Sequence, residues 1–274
     1  MDKAQWRIIH SVPTNGAWNM ALDEAILESV TENRSLPTLR LYAWQPPCLS
    51  LGQAQSFRDV VINSLADRGW DLVRRPTGGR AILHTDELTY SIAAHQDEPR
   101  VSGSILDSYR RLSGALLAAL ELLGLQARAD GQYPLPEGAQ PNGAVCFEIP
   151  SNYEITVNGK KLIGSAQARR LAGVLQHGSL PLYGDITRIT SVLFYPDQSS
   201  RETAYRRLSD RAATVESLLG AAPTWGDAAR AFQTAFAHVF DLELIQSEPA
   251  PAEMSRAKEL VESKYGNSDW TLRI

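Results

Sequence analysis

Apolar residues follow two rhythms along this chain, and the rhythm changes about two-thirds of the way through. Residues 5–11 read as a first strand. Residues 17–30 read as a helix with Trp18, Leu22, Ala25, Ile26 and Val30 on one face, which leaves Asp23 and Glu24 as its polar side. Leu39, Leu41 and Ala43 alternate as a strand that Pro46-Pro47 stops, and 49–51 reads as another. Ser56 is placed to cap a short helix running toward Arg68, and 72–74, 81–83 and 88–93 read as further strands. Residues 104–123 give the clearest helical spacing, with Ile105, Tyr109, Leu112, Leu116, Leu120 and Leu123 in register and Gly124 to end it. Residues 130–143 are rich in proline and glycine and read as loop. Residues 153–168 read as a hairpin closed by Asn158-Gly159, a pair suited to a type I′ turn, and 174–182 as one more strand. From Thr187 onward the pattern is helical.

Several strands in succession, mixed with helices, predict an α+β fold: a mixed or largely antiparallel sheet flanked by helices. The expected organisation is one catalytic unit over 1–245, with its core over about 35–245, and a helical tail over 246–274 packed on it. The length of 274 residues suffices for one large core. Hydrophobic residues make up 43% and charged residues 21%, the balance of a water-facing globular protein. A formal net charge of -4 argues against bulk affinity for nucleic acid but leaves room for local basic patches. The first residues, MDKAQWRIIHSVP, contain no long apolar run, and no stretch has the length of a membrane span. The two cysteines, Cys48 and Cys146, suggest neither a disulfide framework nor a metal site, so a reducing cytoplasm is the expected location.

Three constellations could carry chemistry. In RRPTGGRAILH, Arg74 and Arg75 end a strand, Gly78-Gly79 allows a tight turn or close approach to a ligand, and His84 closes the segment. The alternative is a hairpin with solvated arginines. Its spacing is not that of a P-loop. Cys146 lies before the hairpin whose second strand opens with Lys160-Lys161. An ammonium beside a thiol favours the thiolate and can also bind the oxyanion of an attacked acyl group. The alternative is a small buried cysteine beside two solvated lysines. In LIGSAQ, the small residues Gly164, Ser165 and Ala166 permit close approach of a ligand or of another element, and both readings stand. His177 is a candidate for the same pocket. His10, His95 and His238 have no partner suggested by spacing, and Cys48 reads as core.

Taken together, WNMALDEAIL, LRLYAWQPPCLSLGQAQ, RRPTGGRAILHTDELTYS, CFEIPSNYEI, GKKLIGSAQARR, LQHGSL and KYGNSDW resemble the lipoate/octanoate protein transferase and ligase family over most of the chain. The RRPTGGR…LHTDELTYS pattern and the Cys-Phe before the hairpin are most similar to its octanoyltransferase branch. The resemblance implies a biotin/lipoate protein ligase-like catalytic fold. It also implies a thioester-forming nucleophile at Cys146 and an activating lysine at Lys161. It places Arg74, Arg75, Gly78, Gly79 and His84 on one wall of an acyl pocket, with Gly164, Ser165 and Gln167 on the other. It implies no bound cofactor, since the donor is the octanoyl-phosphopantetheine of acyl carrier protein. The acceptor is a lysine of lipoyl domains of 2-oxoacid dehydrogenase E2 subunits or of the glycine-cleavage H protein, and the enzyme is expected to be a monomer. Both partners being acidic, the arginine-bearing runs 167–170 and 109–111 are candidate docking sites. The rivals are an ATP-dependent lipoate ligase, a non-catalytic module that binds the same carriers, and an amidotransferase taking octanoyl from the H protein.

Overall fold

The computed structural model describes residues 3–130 and 154–274. In chain order the elements are β1 (Ala4–His10), α1 (Gly16–Thr31), β2 (Thr38–Tyr42), β3 (Cys48–Leu51), α2 (Ile62–Ala66), β4 (Asp71–Arg74), β5 (Ile82–His84), β6 (Glu87–His95) and α3 (Ile105–Leu122). They continue with β7 (Arg128–Asp130), β8 (Glu154–Val157), β9 (Lys160–Arg170), β10 (Gly173–Pro181), α4 (Gln198–Arg211), α5 (Val215–Leu219), α6 (Trp225–Val239), β11 (Leu242–Gln246), α7 (Pro251–Leu260) and α8 (Ser268–Thr271).

The strands form an eight-stranded sheet in the order β11-β1-β2-β6-β10-β9-β8-β7 and a three-stranded sheet in the order β4-β3-β5. Pairing is parallel at β11-β1-β2 and antiparallel from β2 through β7, so the large sheet is mixed and the fold is α+β. One face of that sheet carries Trp6, Ile8, Tyr90 and Ile92 against Leu112 and Leu116 of α3 and Phe232 and Phe236 of α6. The other carries Ile9, Tyr42 and Leu175 against Met20 and Leu27 of α1 and Leu260 of α7. Each fully buried side chain of this kind stabilises the fold by about 1.5–3 kcal/mol, which makes these two layers the main source of cohesion. The small sheet packs Leu49 and Leu51 against Ile189, Val192 and Leu208.

Local signals act where spacing placed them. Ser104 caps α3 in a reciprocal box with Asp107, and Gly124 follows the helix with φ +86°. Asn158 and Gly159 both take positive φ, 52° and 78°, as a type I′ turn between β8 and β9 requires. Three expectations change. The helix foreseen from Ser56 is instead a 3-10 turn at Phe57–Asp59 followed by the short α2. Strand β11 lies in the region read as helical, with Leu242 opposite Ala4 on the sheet edge. Strands β4 and β5, around PTGGR, do not pair as a hairpin, because β3 lies between them.

The tail after β11 is tied to the rest by buried charge. Arg7 of β1 donates to both carboxylate oxygens of Glu253 on α7, at 3.1 and 2.6 Å, and Ser35 donates to the same carboxylate. No helix among the described residues is long and apolar enough to cross a membrane.

Candidate active site

Between the two sheets lies a narrow chamber with a free interior of about 30 Å³. The large sheet supplies Tyr42, Thr89, Gly164–Ala166 and His177–Ser179, and the small sheet and its loop supply Arg75, Gly79, Ile82 and His84, with Trp44 beside them. A wider, open recess of about 270 Å³ adjoins it and shares Gly79, Ser165 and Ala166. Gly78, Ile105, Leu106, Tyr109, Glu154, Ile163 and Gln167 complete this mouth. The chamber is mostly apolar with a few convergent polar groups, the usual make-up of a small-molecule site.

The Gly78-Gly79 turn is held from three sides. Arg75 donates through Nη2 to the carbonyls of Gly78 and Arg80, at 3.1 and 2.9 Å, and through Nη1 to the carbonyl and hydroxyl of Ser50. Gly79 sits at φ +90°, and its carbonyl would lie 1.9 Å from a Cβ on Gly52, so Gly52 must also lack a side chain. Thr77 Oγ1 lies 2.6 Å from His177 Nε2, which pins the turn to β10.

His84 is locked at both ring nitrogens. Nδ1 is 2.6 Å from Glu87 Oε1 and Nε2 is 2.6 Å from Ser50 Oγ. A carboxylate only accepts, so Nδ1 carries a proton toward Glu87, while Ser50 Oγ, at Nε2, also accepts from Arg75. Trp44 stacks on the imidazole at 4.0 Å and donates its indole N–H to Thr89. His84 is thus a rigid wall of the chamber.

Behind His177 sits a buried acid that periodicity had assigned to a polar surface. Asp23 is fully buried and accepts from Arg40 Nη1 at 2.8 Å, Ser91 Oγ at 2.7 Å and Tyr42 OH at 2.9 Å. Burial raises its pKa, but Arg40, His177 and Ser91 outweigh that and hold the carboxyl below its ordinary value. Burial pushes the His177 imidazole down, with Asp23 partly offsetting it, so the ring is neutral near pH 7. Glu24 is buried as well and pairs with Arg170, Lys264 and Tyr265. Both carboxylates are solvated by protein because α1 is covered on nearly every side.

Lys161, at the start of β9, is buried, and its Nζ donates to Glu154 Oε1 at 2.6 Å. Glu154 lines the mouth, so the ammonium stands one side chain behind the opening. Lys160 points elsewhere and donates to the Ser209 carbonyl at the end of α4. Cys146, the expected nucleophile, lies outside the described residues. Cys48 is fully buried on β3, where burial pushes its thiol well above the usual range.

The other expected residues fall into two groups. Arg75, Gly78, Gly79, His84, Gly164, Ser165 and Gln167 are brought together around the chamber and mouth, joined by His177. Arg74 is not: its buried guanidinium donates to six carbonyls, those of Gly52, Gln53, Gln55, Trp270, Thr271 and Arg273, and so fastens the C-terminal end to β4. Residue pattern alone gave no reason to single out Trp44, Thr89, Glu87 or Glu154. Their signal is pairing in space: β2 beside β6 brings Tyr42 opposite Thr89, and the hairpin brings Glu154 near Lys161.

Comparison with known proteins agrees with this fold. Residues 15–237 match the family model of the lipoyl protein ligase A/B catalytic domain. An octanoyltransferase LipM of Moorella thermoacetica is 39% identical, with all of both chains covered, and one of Kyrpidia tusciae is 38% identical over 98% of each. Among solved structures, a bi-partite lipoate protein ligase from Thermoplasma acidophilum superposes with a TM-score of 0.82 at 24% identity, covering 98% of this chain and 96% of that one. A lipoate-protein ligase A bound with ATP gives 0.78 at 25% identity, covering 98% of each. An inter-sheet chamber walled by the arginine-glycine turn, with a buried lysine behind its mouth, accompanies similarity over the whole chain, and the chain belongs to the lipoyl protein ligase A/B catalytic domain family.

Proposed function

We propose that this protein is an octanoyl-[acyl-carrier-protein]:protein N-octanoyltransferase of lipoate assembly that works through a thioester on Cys146. The observation that carries the reading is the buried Lys161 ammonium, held by Glu154 behind the mouth of an apolar chamber, in a chain similar along its full length to octanoyltransferases. The chamber takes the acyl chain. At about 0.8 kcal/mol per buried CH2, an octanoyl tail gains several kcal/mol there, enough to favour it over shorter chains.

In the first half-reaction the Cys146 thiolate attacks the thioester carbonyl of octanoyl-acyl carrier protein. A new S–C bond forms, the pantetheine S–C bond breaks, and the pantetheine sulfur leaves as thiolate and takes up a proton. Lys161 lowers the cost of the cysteine thiolate and donates to the carbonyl oxygen as it gains charge. In the second, the neutral amine of a lysine on a lipoyl domain or the H protein attacks the Cys146 thioester. The amide C–N bond forms, the S–C bond breaks, and the amine proton ends on the cysteine sulfur. Thioester to thioester is nearly isoenergetic and thioester to amide is downhill, so neither step requires ATP. Dividing one transfer between two bulky proteins into two docking events is the benefit of the covalent intermediate, and ping-pong kinetics follow. A monomer in a reducing cytoplasm, where the thiol stays free, suits this chemistry.

The test is intact mass after mixing the protein with octanoyl-acyl carrier protein without ATP. The reading requires a gain of one octanoyl group that hydroxylamine removes, that Cys146→Ala abolishes and that an apo-lipoyl domain discharges. ATP-dependent modification of the acceptor from free lipoate, surviving Cys146→Ala, would instead make the protein a ligase. Acylation from octanoyl-H protein but not from acyl carrier protein would make it an amidotransferase.

A further inference from the structure

The two arginine-bearing runs flagged in the sequence converge on one side of the mouth. Arg111, on α3, donates through Nε to the Arg100 carbonyl at 3.2 Å and through Nη2 to the Ser102 carbonyl. Arg169, on β9, donates through Nη2 to the carbonyls of Val101 and Ser104, at 2.8 and 3.3 Å, and through Nε to Gln167. Both guanidinium groups therefore grip the same short loop, residues 100–104, and both are half-exposed. Among the described residues neither forms an ion pair with a carboxylate. Asp107, whose charge both sense, is engaged with the backbone and hydroxyl of Ser104 as the cap of α3. Like charges held side by side cost free energy, which the nearby Asp107 charge offsets in part, and burial together with the Arg111 charge pulls the Arg169 pKa down. Bordering them are two apolar side chains in the first turn of α3, Ile105 and Leu106, 47% and 45% exposed, which line the mouth itself.

We propose that this rim, Arg111 and Arg169 beside Ile105 and Leu106, is the docking surface for the acidic protein domain that presents the acceptor lysine. This rests on the octanoyltransferase reading. An apolar centre flanked by charge is the anatomy of a protein-binding patch, and an acidic partner supplies the direct ion pairs that neither arginine makes among the described residues. The reach of the two substrates selects the acceptor. A lysine side chain is short, so its domain must sit against the mouth, whereas a phosphopantetheine arm lets the donor dock farther away.

Two measurements test the surface. The first is direct binding of apo-lipoyl domain to unacylated enzyme by fluorescence anisotropy across a salt series, which needs no turnover. Arg111→Glu/Arg169→Glu should weaken binding by about tenfold or more and flatten its salt dependence, as for rim charges that steer association. Arg111→Gln/Arg169→Gln, kept in case the reversal misfolds, should give a smaller change in the same direction. The second separates half-reactions. The KM for the lipoyl domain should rise with kcat nearly constant, while acylation by octanoyl-acyl carrier protein stays within about twofold. Unchanged binding and salt dependence in folded variants would overturn the proposal. So would a defect confined to the carrier-protein half-reaction, since the donor would then own the surface. If wild-type enzyme never acquires octanoyl, the octanoyltransferase reading fails, and the binding series still decides whether the surface exists.

Discussion

Lys161 and Glu154 meet across the β8–β9 hairpin with Nζ 2.6 Å from Oε1, both side chains buried. The pair fixes an ammonium at the back of the mouth rather than letting it wander in solvent. Lys161→Ala should lower the rate of acyl-enzyme formation by about 10²-fold or more, the scale seen when an oxyanion donor is lost. On the proposed mechanism, the pH midpoint for alkylation of Cys146 should rise in the same variant, since that mechanism gives the thiolate Lys161 as its cation. A midpoint that stays put would separate Lys161 from thiol activation. Glu154→Ala breaks the buried pair and should destabilise the fold by about 3 kcal/mol in urea titration, with Glu154→Gln costing less because the amide oxygen still accepts.

Asp23 and His177 predict how stability responds to acid. The His177 pKa is pushed below 6.5 in the folded protein, mainly by burial. The unfolded chain therefore binds the proton more readily, and stability falls as pH drops below about 6.5 toward the folded value. The Asp23 pKa is also lowered when folded, because Arg40, His177 and Ser91 outweigh its burial. Its contribution is present above the ordinary carboxyl range and is lost as pH falls through the folded value. Melting curves should show loss beginning near pH 6.5, and His177→Gln should flatten that first segment while leaving the carboxylate-driven loss at lower pH.

Arg74 predicts a mechanical link. Its six carbonyl acceptors join the Gly52–Gln55 loop to the chain end at Trp270–Arg273. Arg74→Met should cost at least about 3 kcal/mol, since charged hydrogen bonds contribute about 1.5–3 kcal/mol each and the carbonyls are left unsatisfied. Limited proteolysis should then cut after residue 260 before it cuts elsewhere. Arg74→Lys should not restore resistance, because an ammonium cannot reproduce the planar fork.

Gly178 predicts a limit on the acyl chain. A Cβ there would stand 2.7 Å from the Gly164 carbonyl, the Ser165 hydroxyl and the Tyr90 ring at once. Gly178→Ala should destabilise by about 1–3 kcal/mol and push the chamber wall inward. Acylation with hexanoyl donors should fall less than with octanoyl donors. Equal losses for both lengths would place the acyl tail elsewhere.

Most strands, the hairpin at Asn158-Gly159 and the capped helix beginning at Ile105 were legible because each is set by neighbours a few residues away. The residues that wall the chamber were partly legible: the glycines of the Gly78-Gly79 and Gly164–Ser165 stretches allowed close approach without requiring it, and the family resemblance, not composition, put Arg75, His84 and Gln167 beside them. Their neighbours Trp44, Thr89 and Glu87 were not, because what recruits them is the order of strands across two sheets. Asp23 and Glu24 looked like a solvated helix face, since a helical wheel reports which residues share a side but not what covers that side.

The sequence by itself determined the α+β class, the local turns and caps, and the family resemblance, all of which rest on short-range periodicity or motif order. Only the tertiary structure decided which charges lie inside and what they do there. Asp23 meets Arg40 across 17 residues and Arg74 meets Thr271 across 197, and β11 closes the sheet beside β1 from the far end of the chain. A charge survives burial only with a fixed partner, and partners that distant are chosen by the packing of whole layers, which no local pattern records.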